Sequence, residues 1–259
     1  MSQCRNLGCW VLRGGGGVGG GALSPPTKSM GVDKPPAKTV TFSAEALYIL
    51  WLAISWPAAY FFMEVVKGDV VGYYASGPPR WRAAWGMPTQ ICVLPLLFTL
   101  AYRANGGSLA SWCKHWQTGL GDRWSWIFIY LFPTWLMLDF VLCEVRALMV
   151  AHHVTCIVGH LIAAIVLPAG FPYYFAGVIA LECGSFSCNV LCLIYTRVVL
   201  NVYLSCMTIS NLFAVACMVQ WCRAVRSKAG CVIAIFITVV LAALRQREAF
   251  KCGAQFGDS

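Results

Sequence analysis

Residues 174–195 read YFAGVIALECGSFSCNVLCLIY, a long apolar run with a single charged residue, Glu182. About 20 such residues suffice for a helix to cross a hydrocarbon core. The apolar positions are continuous rather than alternating, so the run does not read as a barrel strand with one face in lipid and one in a lumen. In hydrocarbon the backbone must satisfy its own hydrogen bonds, and a single continuous segment does that only as a helix.

The same pattern repeats on both sides of this stretch. Toward the C-terminus, apolar runs cover 198–221 and 231–244; toward the N-terminus they cover 148–167, 124–143, 89–102 and 44–66. The runs at 89–102 and 231–244 are short for a full crossing, so the reading is all-α, a polytopic membrane bundle of six or seven transmembrane helices. Composition agrees: hydrophobic residues are 59% and charged residues 11% of 259 positions, with a mean hydropathy of +0.68. A soluble domain carries about a quarter charged residues. Trp81 and Trp85, Trp112 and Trp116, Trp124 and Trp126, and Tyr173 to Phe175 sit between or beside the runs, where aromatic belts at the headgroup level are expected.

The flanks read differently. Residues 1–40 hold a glycine tract and two proline pairs, which support neither helix nor strand; they are expected to form a disordered tail, followed by a membrane domain over 41–246 and a short C-terminal tail over 247–259. The net charge of +9 comes from basic residues scattered between the runs, which suits topology and anionic headgroups better than nucleic acid. Nucleic acid is therefore not an expected partner. The basic residues lean slightly toward the side of the N-terminal tail. Most of the 14 cysteines lie inside apolar runs and no C-x2-C pair occurs, so no zinc site is expected.

Ionisable residues at membrane depth carry the functional signal, because each is costly unless paired or facing a cavity. Glu64 and Lys67 form an interfacial pair at i, i+3. Asp139 lies late in its run and either marks a site or pairs with Arg146. His152 and His153 open the next run, and His160 shares a helical face with His153 two turns on; histidine there can relay protons, act as a general base or bind metal. Glu182 begins a polar stripe of Ser185, Asn189, Cys192 and Thr196, with Asn201, Ser205 and Thr208 as a weaker one in the following run. Interhelical hydrogen bonding explains small polar residues, whereas Glu182 needs a partner, for which His152, His153 or His160 are the candidates.

An acid late in one span (Asp139), His152-His153 opening the next, and Glu182-x-x-Ser185-x-x-x-Asn189 in the following span resemble the TRAM–Lag–CLN (TLC) domain family. The resemblance implies a helical bundle around a central lipid-accessible cavity, in the endoplasmic reticulum or plasma membrane, concerned with lipid metabolism and lipid homeostasis. Its ceramide-synthase branch transfers an acyl group from acyl-coenzyme A to a sphingoid amine, with the histidine pair in the catalytic motif. The paired aspartates of that branch are absent here, and Val190 and Leu191 follow Asn189 where other branches often carry arginine. The non-synthase branch is favoured.

The expected function is binding, sensing or modification of a membrane lipid. If the protein is an enzyme, His152 or His153 would act as general base with Asp139 or Glu182 orienting the ring, and acyl-coenzyme A would be the donor rather than a bound cofactor. His160, Thr155, Ser185, Asn189, Cys192 and Thr196 would line the lipid cavity. A proton-coupled transporter or a trafficking receptor is the alternative, the latter using 1–40 and 250–259 for contacts. Self-association into a homo-oligomer is compatible with either.

Overall fold

The computed structural model describes residues 43–70, 79–118, 121–143 and 147–257; the expectation for 1–40 lies outside them. Residues 41–259 form one compact unit. Nine α-helices are found among the described residues, and no strand: α1 (Ala44–Val65), α2 (Arg80–Pro88), α3 (Leu94–Ala104), α4 (Leu109–Gln117), α5 (Arg123–Leu142), α6 (Ala147–Leu161), α7 (Phe171–Leu193), α8 (Arg197–Ala224) and α9 (Lys228–Gly257). A π-helical turn at Thr89–Val93 joins α2 to α3 in one rod, and another at Ile162–Val166 extends α6.

Seven helical stretches among the described residues are long and apolar enough to cross a membrane. Both short runs prove to be parts of longer helices. The rod formed by α2 and α3 spans Arg80–Ala104, and the last span covers Lys228–Phe256. Helix α9 therefore continues through most of the stretch read as a C-terminal tail. Helix α4 is too short to cross, and packs Trp112 and Trp116 inward.

Local chemistry sets the helix starts. Asp122 caps α5 by accepting from the Trp124 and Ser125 amides, and Ser43 and Thr196 cap α1 and α8 in the same way. Helix α5 is the central one, with more than half of its apolar window buried, whereas α1 and α9 lie at the periphery and bury almost none. Their exposed faces, including Ile49, Ile54 and Phe61 on α1 and Val232, Ile233 and Phe236 on α9, suit contact with lipid chains.

The core is aromatic near the α3–α4–α5–α7 end. Phe128 and Phe175 stack at 3.6 Å between centroids, and Trp112 meets Phe175 edge-on. Helices α7 and α8 approach closely because small residues face each other. A Cβ added at Gly177 would meet Cys217 Cβ at 3.4 Å, and one added at Gly184 would crowd the Ser210 side chain and Arg245 Nη2 at under 3 Å. Such small-residue contacts replace the hydrophobic effect as the source of helix association in a bilayer.

Candidate functional site

Three helices bring one ionic centre together. Asp139, one turn from the end of α5, accepts from Arg82 Nε at 3.1 Å through Oδ1 and from Arg82 Nη2 through Oδ2. His153 Nε2 of α6 lies 3.5 Å from the same Oδ2. The side chains of His153, Asp139 and Arg82 are 3%, 6% and 17% exposed. The guanidinium forks onto the carboxylate with two nitrogens, which fixes the plane of the acid as well as its position. The imidazole edge then meets a carboxylate that cannot rotate away. Arg80, two residues before Arg82, donates from Nη2 to the Leu193 carbonyl at 3.0 Å, satisfying one of the last carbonyls of α7.

Asp139 thus has a partner other than the one anticipated. Arg146 lies outside the described residues, and Arg82 occupies the carboxylate. Arg82 lies in the polar break between the runs at 44–66 and 89–102, so the apolar pattern alone does not single it out. The signal available in the sequence was the unmatched acid itself.

A second polar unit lies deeper. Gln90, on the π-helical turn, donates from Nε2 to Glu182 Oε2 at 2.9 Å and accepts from Asn189 Nδ2 at 2.8 Å. Glu182 and Asn189 lie two turns apart on α7, and one amide spans them. The wider π turn adds a residue locally and aims Gln90 into the bundle, a placement common for such turns at functional positions. Glu182 therefore hydrogen-bonds to an amide rather than to a histidine, and the expected pairing with His152, His153 or His160 is not found.

The third unit joins α7, α8 and α9. Arg245 donates to the Leu181 carbonyl at 2.8 Å and to Ser185 Oγ and Asn211 Oδ1, both at 3.2 Å. Asn211 in turn donates to Gln246 Oε1 at 3.1 Å, and Gln246 to Thr208 Oγ1 at 2.9 Å. Arg245 forms no ion pair among the described residues, yet it and Arg82 are near enough to act electrostatically on Glu182. Sequence reading ended the last apolar run at Leu244, one residue before Arg245, but α9 continues and carries Arg245 to the level of Glu182 on α7.

The histidines separate by role. His160 is fully buried, with Nε2 3.1 Å from the Ile129 carbonyl and its ring against Phe128, Phe132 and Tyr174. That is a packing residue locking α6 to α5 and α7. His153 belongs to the Asp139 centre. His152 is half-buried, with the Cys156 Sγ 3.7 Å from its Nε2.

The other expected lining residues divide as well. Ser185 and Asn189 belong to the polar units above. Thr155 bonds its own helix at the Ala151 carbonyl, while Cys192 packs with Val70 and Ala83. Helix α7 stops at Leu193, so Thr196 leaves the stripe and instead caps α8. Asn201 and Ser205 are exposed on α8 and do not join the cluster.

Helix α6 packs on α5, and its π-helical end reaches α7, but its N-terminal half makes little backbone contact with α7 or α9. His152 and Cys156 stand on the α6 side of that boundary. Glu182 and Arg245 stand across it, close enough to act electrostatically on Cys156. Among the described residues, no three His, Cys, Asp or Glu side chains converge as metal ligands. The polar side chains themselves occupy the centre of the bundle.

Comparison with known proteins gives no relative. No family model, curated protein or solved structure matches the chain.

Proposed function

We propose that this integral membrane protein binds a membrane lipid whose polar head enters between α6 and α7, and that it serves lipid homeostasis as a member of the non-synthase TLC branch. The observation that carries this reading is the Arg82–Asp139–His153 centre, buried one turn from a membrane face and continued inward by Gln90, Glu182 and Arg245. Ionisable groups at this depth are costly and are kept where they bind or react. A polar head arriving along the boundary of α6 and α7 would come from the bilayer plane rather than from water. Lipids of the endoplasmic reticulum or plasma membrane, sphingoid or acyl, have the required combination of polar head and long chain.

A second reading is favoured by the His153–Asp139 contact. A carboxylate-oriented imidazole has the form of a general base. In an acyl transfer, such a base removes the proton from a lipid amine or hydroxyl as it attacks an acyl-coenzyme A thioester. The C–S bond breaks, and the departing thiolate receives the proton. Half-buried His152 would contact the lipid, and Asp139 and Arg82 would hold His153.

The test is lipid analysis of wild type, His152→Ala and Glu182→Ala, purified at matched amounts, together with incubation with labelled acyl donor. Lipid enriched on wild type and lost from both variants supports binding, and labelled product from wild type alone adds catalysis. Identical lipid complements on all three proteins would refute the reading.

A further inference from the structure

On the opposite membrane face from the Asp139 centre, the turn between α8 and α9 carries Arg223, Arg226 and Lys228 within six residues. All three are exposed, and none forms an ion pair among the described residues. Among the described residues, Arg223 alone of the three has a side-chain hydrogen bond, from Nη1 to Gln220 Oε1 at 3.3 Å. Lys228 also opens α9, where the positive end of the helix dipole repels a cation. Three like charges at this point repel one another unless an anion sits among them.

A shallow, open groove of about 500 Å³ lies beside these cations between α8 and α9, lined by Val219, Val232 and Ile235. Val219 lies five residues before the end of α8 and Ile235 seven after the start of α9. At 1.5 Å per residue the apolar wall therefore reaches about 10 Å into the membrane.

We infer that this turn and groove form a binding site for one anionic phospholipid, its phosphate at Arg223, Arg226 and Lys228 and an acyl chain along Val219, Val232 and Ile235. Charge disfavours a second copy of the chain as the occupant, since it carries the same net +9. An acidic peptide matches the cations but not an apolar wall at acyl-chain depth. The site is separate from the polar centre and does not depend on what that centre does.

The test uses the full chain purified in neutral detergent, titrated with palmitoyl-oleoyl phosphatidylglycerol, the matching phosphatidylcholine, or soluble glycerol phosphate, with bound lipid counted by native mass spectrometry. Wild type should prefer phosphatidylglycerol over phosphatidylcholine by at least about tenfold, and each Gln substitution at Arg223, Arg226 or Lys228 should weaken it about fivefold. Val232→Trp, which fills the groove and keeps every charge, should lower phosphatidylglycerol binding about tenfold, with glycerol phosphate a poor competitor. Arg247→Gln removes an exposed charge at the far end of α9 and should change nothing. Equal binding of the two lipids, an equal loss in Arg247→Gln, or displacement by glycerol phosphate at lipid-like concentrations would overturn the inference.

Discussion

Replacing Arg82 with leucine should destabilise the protein far more than replacing both members of its ion pair. In the wild type, two guanidinium nitrogens reach Asp139, whose side chain is 6% exposed. Arg82→Leu leaves that carboxylate with His153 alone, 3.5 Å away. Breaking a buried pair from one side costs about 3–5 kcal/mol, while apolar replacement of both partners is often neutral. Arg82 is 17% exposed, so partial solvation favours the lower end, about 3 kcal/mol. Arg82→Leu/Asp139→Leu should recover to within about 1 kcal/mol of wild type. Denaturation in mixed micelles, followed by tryptophan fluorescence, measures the full cycle. An Arg82→Leu cost below about 0.5 kcal/mol, or a double variant worse than either single, would refute the claim that pairing holds this centre together.

Gln90→Leu should cost about 1–3 kcal/mol in the same assay, because it strands both Glu182 and Asn189; an unchanged midpoint would argue against the bridge. Gly184→Val should separate α7 from α8 and lower stability by at least about 2 kcal/mol, with Ser210→Gly recovering part of the loss. His160→Ala should destabilise by about 2 kcal/mol while His152→Ala shifts stability by less than about 0.5 kcal/mol and removes lipid retention; the reverse ranking would undo the division of histidine roles. Burial on α4, outside the spans, pushes the Cys113 thiol up to about 11. At pH 8 only about a thousandth is thiolate, so alkylation of Cys113 in the folded protein, followed by peptide mapping, should be slow and should accelerate as pH rises toward 11.

The spans were legible because lipid demands long continuous apolar helices, and the charge-poor stretches announced them. Their ends were not. The pattern at Arg80-Trp81-Arg82 and at Arg245-Gln246-Arg247 reads as interfacial loop when charge is counted along the chain. In three dimensions Asp139 satisfies Arg82 and the Leu181, Ser185 and Asn211 oxygens satisfy Arg245, so α2 starts at Arg80 and α9 runs on past Arg245. The acids and histidines were found because an ionisable group at membrane depth requires an explanation. Their partners were missed because partner choice depends on helix rotation, which one sequence does not encode visibly. Extending the α7 stripe to Thr196 failed for a simpler reason: the helix had already ended.

The position of Arg245 also bears on the order of synthesis. Its acceptors, Leu181, Ser185 and Asn211, all precede it in the chain. An arginine at the middle of an isolated helix opposes insertion by about 2.5–3.5 kcal/mol. When α9 emerges from the ribosome, α7 and α8 have already been made and can present those oxygens. The last span can thus leave the insertion machinery onto a prepared neighbour, and a chain truncated before Arg245 would lose the Arg245 and Gln246 bonds that tie α9 to α7 and α8.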